Sequence, residues 1–172
     1  MQNQKYTEIK TERLLLRTLT EADAAVARDI GKGEFKTDED ALGWIRWVNG
    51  KNGTSEPCFV FYIWLVQTGQ AIGRVYFHSK AELDGEVEIG YGISEEHRNK
   101  GCATEAAKAV VRFAFERAGQ EVLAAIVKAE NIASRRVVEK LGFTYCGVRT
   151  VWDNGEDCEF DYFRLFREEY MA

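Results

Sequence analysis

Between residues 58 and 94 the chain holds three apolar runs with little between them: CFVFYIWLV (58–66), AIGRVYF (71–77) and EVEIGYGIS (86–94). Parallel neighbours need a crossover of about a dozen residues, whereas Thr68-Gly69-Gln70 alone turns the first run into the second. The first run is almost continuously apolar, β-branched or aromatic, as a central strand is. The third alternates cleanly between apolar and polar positions. An antiparallel three-stranded meander is therefore expected at the centre of the fold.

The flanking segments carry equally local signals. TERLLLRTL (11–19) reads as a strand. Thr20 is placed as the N-cap of a helix over 21–30 closed by Gly31, and Thr37 with Asp40 opens a second helix through Val48 that ends near Asn49-Gly50. Beyond the meander a helix runs from about Cys102 to Ala118, with Ala103, Ala106, Ala107, Val110 and Ala114 on one face and Gly119 at its end. VLAAIV (122–127) is a strand, and 133–141 a helix closed by Gly142. Runs 145–152 and 158–165 form a hairpin around DNGE, where Asn-Gly favours a tight turn. The order β–α–α–β–β–β–α–β–α–β–β, without repeats, predicts one α/β (α+β) domain over 1–172, a mixed central sheet with helices on its faces.

Charge and cysteine usage exclude several functions. The net charge of −5 argues against nucleic-acid partners. No apolar run approaches the ~20 residues of a membrane span, and MQNQKYTEIKTE at the start is too polar for a secretory signal. A cytoplasmic protein is expected. Cys58, Cys102, Cys146 and Cys158 show no C-x-x-C spacing and only His78 and His97 accompany them, so free thiols and no metal site are expected. A turn at Asn154-Gly155 would set Cys146 near Phe163. The charge is also uneven. Arg98, Lys100, Lys108 and Arg112 against Glu105 give 98–112 a net +3, and 128–140 holds a net +2, which leaves −10 elsewhere. A basic island on an acidic body suits an anionic cofactor in one place and a cationic substrate in another.

The island begins at EEHRNKGCATEA (95–106), a bare loop that follows the third strand and leads into a helix N-terminus. Such a place binds phosphate through free N–H groups. Neither G-x-x-x-x-G-K-[ST] nor G-x-G-x-x-G occurs here. What stands instead is Arg98-x-x-Gly101-x-Ala103, continued by Thr104-Glu105-Ala106. This resembles the acyl-CoA signature of the GNAT N-acetyltransferases. NIASRRVVEKLGF (131–143) is similar to that family's later segment. TERLLLR, EIGYGI, Ser134 and the terminal REEY resemble its RimJ/RimL-like branch of ribosomal-protein N-acetyltransferases. The likeness covers about 11–170.

The resemblance implies an enzyme that uses acetyl-CoA as cosubstrate. Its CoA would lie between two splayed strands and touch Tyr91, Gly92, Ile93, Arg98, Asn99, Lys100, Gly101, Cys102, Ala103, Thr104, Asn131, Ser134 and Arg135. Backbone N–H groups around Tyr91 to Ile93 would polarise the thioester, and Ser134 would protonate or hydrogen-bond the leaving sulfur. The wider family's acidic tyrosine, four residues before Gly-Phe, is Val138 here. Its tyrosine of the last strand is matched by Phe163 beside Tyr162, so neither role carries over. Glu88 is the expected general base, with His78 or water as alternatives. Trp44 and Trp47 could wall the acceptor pocket or belong to the core.

The acceptor would be a primary amine, either a protein N-terminal α-amine or a small molecule such as a polyamine, amino acid or antibiotic. Freeing an α-amine of pKa ~7.7 at pH 7 costs about 1 kcal/mol, against about 4.6 for a lysine of pKa ~10.4. A weak base suffices for the first. The acidic remainder favours a cationic acceptor, and a monomer or homodimer is expected. A CoA-binding sensor without turnover is the alternative from another class.

Overall fold

The computed structural model describes residues 7–51 and 56–172; the first six residues of the polar N-terminal stretch lie outside them. Its strands are β1 (Glu8–Lys10), β2 (Leu14–Arg17), β3 (Cys58–Leu65), β4 (Ala71–Ser79), β5 (Val87–Ile93), β6 (Val122–Val127), β7 (Thr144–Asp153) and β8 (Glu156–Phe166). The helices are α1 (Ala24–Gly31), α2 (Asp38–Lys51), α3 (Cys102–Glu116), α4 (Ile132–Lys140) and α5 (Arg167–Met171). The strands make one mixed α/β sheet in the order β1-β2-β3-β4-β5-β6-β8-β7. Every neighbouring pair is antiparallel except β5 with β6.

The expected meander is β3–β4–β5. Alternation along it sends one set of side chains to each face. Phe59, Phe61, Phe77, Val87 and Ile89 pack under α3, whose Ala106, Ala107, Val110, Val111 and Ala114 are buried against them. Small residues on that helix face let it lie close to the sheet, while Phe113 sets its ring edge-on to Phe59 and Phe61. The opposite set, Cys58, Val60, Tyr62 and Trp64, packs beneath α1 and α2. Helices thus cover both faces of this half of the sheet. No helix of the described residues is long and apolar enough to cross a membrane.

Three sequence expectations change. The run 11–19 is not one strand: Thr11 N–H donates to the Leu14 carbonyl at 2.9 Å and Thr11 Oγ1 accepts from Leu14 N–H, so 11–14 is the turn between β1 and β2. Helix α2 continues through Asn49 and Gly50 to Lys51. Glycine permits a helix end without requiring one, and Gly50 is not among the residues of positive φ. Asn49 Nδ2 instead donates to the Leu19 carbonyl, tying α2 to the segment before α1. The first helix opens with a 3₁₀ turn over Glu21–Asp23 before α1. Cys146 does fall next to the Tyr145–Phe163 pair, where β7 bulges, and all four thiols are free.

Asp23 fixes that 3₁₀ turn. It accepts two hydrogen bonds from Arg17 at 2.8 and 2.9 Å, and further ones from the Thr20 N–H and hydroxyl at 2.8 Å. The Arg17 guanidinium foremost, helped by Thr20 against the opposing effect of burial, holds its carboxyl at about 2. A folded-state value below the unfolded one contributes stability that is complete above about pH 4–5 and lost as pH falls towards 2. The expected contribution is on the order of 2 kcal/mol. Urea denaturation at pH 6 and pH 3 should show the wild-type protein losing about 1 kcal/mol more stability than Asp23→Asn, roughly half the full contribution because pH 3 still lies above the folded-state value; equal losses would refute the assignment.

Candidate active site

The sheet opens where β5 leaves β6. The two strands share only the Glu88–Ala124 register pair, and beyond it they part. Ser94 N–H donates to Ile72 and Lys80 N–H to Glu86. In an antiparallel ladder the partnering side alternates, so the even-numbered amides of β5 point to β4. The amides of Tyr91 and Ile93 turn towards the gap.

A groove of about 590 Å³ lies on the α3–α4 side of this gap. Its walls are the end of β5, the loop before α3 and the first turns of α4. Tyr91, Gly92, Ile93, Arg98, Asn99, Gly101, Cys102, Ala103, Thr104, Asn131 and Ser134 all line it. Gly101 is the N-cap of α3 at φ +79°, a left-handed conformation that favours glycine. The first intrahelical bond there is Glu105 N–H to the Gly101 carbonyl, so the amides of Cys102, Ala103 and Thr104 are the free donors of a helix N-terminus. Arg98, Arg136 and Lys140 add three cations, and among the described residues no carboxylate lines the groove.

Two expected residues stand elsewhere. Lys100 is absent from the lining, and its carbonyl accepts from Arg13 Nη1 at 2.8 Å. Arg135 turns to β8, where it pairs with Asp161 and lies 5.3 Å over the Phe163 ring. Successive helix residues are about 100° apart, so its neighbour Arg136 faces the groove instead. Asn131 caps α4, its Oδ1 accepting from the Ser134 N–H at 3.1 Å. The loop is held by a clamp outside the expected set. Glu105 accepts from the Thr11 hydroxyl at 2.6 Å, Arg13 N–H at 2.9 Å and Arg13 Nε at 2.7 Å. Burial raises the Glu105 carboxyl, but these hydrogen bonds together outweigh it and hold the group below the usual carboxylate range.

A cavity of about 140 Å³ at the gap shares Tyr91 and Ser134 with the groove and Tyr76 with the pocket on the other face of the sheet. Ser134, Tyr91 and Val138 line it towards the groove, Glu88, Gly90 and Tyr76 towards the α1–α2 side. The Tyr91 hydroxyl lies 2.9 Å from Ser134 Oγ and donates to the Ser134 carbonyl at 3.1 Å. Burial pushes the Tyr91 phenol up, against the Ser134 hydrogen bond, which lowers it. Sequence reasoning credited Tyr91 with a backbone role only; its side chain puts a hydroxyl in the region where Val138 offers none. Glu88 is only 7% exposed. Lys80 Nζ lies 3.1 Å and His78 Nε2 3.8 Å from its Oε2. Tyr76 crosses β5 over Gly90, where an added Cβ would come within 2.3 Å of the Tyr76 Cζ. A glycine inside a strand is the sequence signal of such an approach.

On the α1–α2 face Tyr76 and His78 also line a pocket of about 550 Å³ with Trp44 and Trp47. Trp44 packs between Phe35 and Tyr62, and Trp47 is 56% exposed. Tyr162 faces away from the groove and hydrogen-bonds Glu86. Burial first, then that carboxylate, pushes its phenol up to about 12. Phe163 is buried in the α3–α4 core. His97 hydrogen-bonds Ser94 at 3.1 Å beside the groove.

Residues 13–144 match the model of an acetyltransferase (GNAT) domain. The uncharacterized N-acetyltransferase YoaA of Bacillus subtilis is 30% identical, over 86% of this chain and 89% of its own length. The crystal structure of a GNAT-family acetyltransferase from Bacillus anthracis superposes with a TM-score of 0.75 at 26% identity, covering 95% of this chain and all of that one. RimL, a ribosomal L7/L12 α-N-protein acetyltransferase solved with coenzyme A, shares the fold at 15% identity, with a TM-score of 0.79 over 95% of this chain and 99% of its own.

Proposed function

The chain belongs to the acetyltransferase (GNAT) family, and from that premise we propose that this enzyme acetylates a primary amine, taking the acetyl group from acetyl-CoA by direct attack. The single observation that carries the reading is the cavity at the gap. Its lining brings Tyr91 and Ser134 of the cationic groove together with Glu88, a buried carboxylate that faces the other side.

The groove fits the cosubstrate on its own chemistry. Free amides at the start of α3, Gly101 in its left-handed turn, and Arg98, Arg136 and Lys140 suit a diphosphate. Tyr91, Gly92, Ile93, Asn99, Asn131 and Ser134 would line the pantetheine path. Acetyl-CoA supplies an activated thioester when bound. The Tyr91 and Ile93 amides would donate to its carbonyl oxygen, and the Ser134 hydroxyl, 2.9 Å from the Tyr91 phenol oxygen, would turn its proton from that oxygen to the departing sulfur. Glu88 would accept the proton of the incoming amine, directly or through water. Lys80 Nζ, 3.1 Å from Glu88 Oε2, would hold that carboxylate in place at the gap. A protein N-terminal α-amine and a small-molecule amine both satisfy this chemistry.

The test is thiol release from acetyl-CoA with a panel of primary amines, read beside calorimetric binding of CoA. The expected outcome is CoA binding together with acceptor-dependent release. Binding with no release on any amine would refute the catalytic reading.

A further inference from the structure

The wall of the 550 Å³ pocket carries information about the acceptor beyond its amine. We infer that the acceptor is a small monoamine on an apolar, ring-containing body, seated against Trp44, Trp47, Val48, Val60 and Tyr76. This rests on the acetyltransferase reading above, because Tyr76 and His78 join this pocket to Glu88.

Two observations carry it. The first is the charge on the wall. Its two carboxylates and its lysine and arginine are matched in opposite-sign pairs: Arg74 Nη1 donates to Glu34 at 2.7 Å, and Lys51 Nζ lies 3.0 Å from Glu56. A polycation entering here would have to compete with Arg74 and Lys51 for carboxylates already neutralised, with its extra charges unpaired. The acidity of the chain as a whole, which favoured a cationic acceptor, therefore does not extend to this wall.

The second is the apolar lining. Trp47 presents a large ring to solvent at the rim, while Trp44 is fixed behind it by Phe35 and Tyr62. Rigid aromatic walls with a few polar groups at one end are the mark of small-molecule sites, and ~300–1,000 Å³ is their usual size. Flat apolar bodies gain from stacking on such rings. Polar groups lie inward, past Tyr76 to His78 and Glu88, where one amine would point.

Calorimetric titration of 2-phenylethylamine and of spermidine into the CoA-loaded full chain tests the class. The expected result is at least tenfold tighter binding of 2-phenylethylamine. Trp47→Ala, a rim substitution, should weaken it about fivefold or more with CoA affinity unchanged. Equal or tighter binding of spermidine, or of a short peptide beginning with alanine, would overturn the inference, as would indifference to Trp47→Ala. Turnover is read separately: a monoamine that binds as expected but is never acetylated leaves the pocket's ligand class standing and sinks the transferase reading instead.

Discussion

Gly101→Glu is expected to lower CoA affinity by at least about a hundredfold, roughly 2.7 kcal/mol. Two effects act together. A side chain at φ +79° strains the turn, and its Cβ would come to 3.3 Å from Arg13 Nη2. The larger effect is the carboxylate, set beside the free amides of Cys102, Ala103 and Thr104. Hydrogen bonds to a charged group contribute about 1.5–3 kcal/mol each, so losing one or two accounts for the magnitude. Gly101→Ala separates the effects, since it carries the strain without the charge. Arg13 is half-exposed at a side chain's reach and can give way, so the alanine variant should lose several-fold only. Calorimetry with CoA at two salt concentrations checks both. The wild-type affinity should also fall with salt, because Arg98, Arg136 and Lys140 line the groove and would face the phosphates through solvent. A folded Gly101→Glu protein that binds CoA normally would remove the loop from the site.

How far such a site can be read from sequence depends on how far apart its causes lie. The meander, the helices closed by Gly119 and Gly142, and the turn at Gly101 were legible because alternation and left-handed caps are local requirements, whereas α1 runs through Gly31 and takes its left-handed cap at Lys32. The segment 11–14 was not. Its turn is completed by Thr11 and Arg13 reaching Glu105, which stands 94 residues from Thr11. The terminal α5 and the three-residue β1 are too short for a period to be seen. Within the basic segment the type of residue was legible and its direction was not: Asp161 on β8 draws Arg135 away and leaves Arg136 for the groove. Lys80 became a partner of Glu88 only through the hairpin that brings β4 back along β5. Tyr76 could have been found, because Gly90 opposite it, inside an alternating strand, asks what lies across it.

That hairpin makes Glu88→Gln the sharpest test of mechanism. Turnover should fall about a hundredfold, within the range typical of removing a general base, while CoA affinity stays within about twofold. The separation follows from topology: Glu88 points to the α1–α2 side, with Lys80 and His78, and the groove proposed for CoA lies on the other. Glutamine keeps the shape and loses the charge, which orphans Lys80. The Lys80 side chain retains 21% exposure, so its ammonium can turn to water and the loss of stability should stay near 1–2 kcal/mol, below the ~3–5 that breaking a sealed pair costs. A purely structural Glu88 would lower turnover only in step with folded protein. Should Glu88→Gln keep full activity, the proton must go to His78 or to solvent, and His78→Asn in the same background distinguishes those. Should it lose CoA affinity instead, the carboxylate is holding β5 in place, and the chemistry at the gap rests on the Tyr91 and Ile93 amides and Ser134 alone.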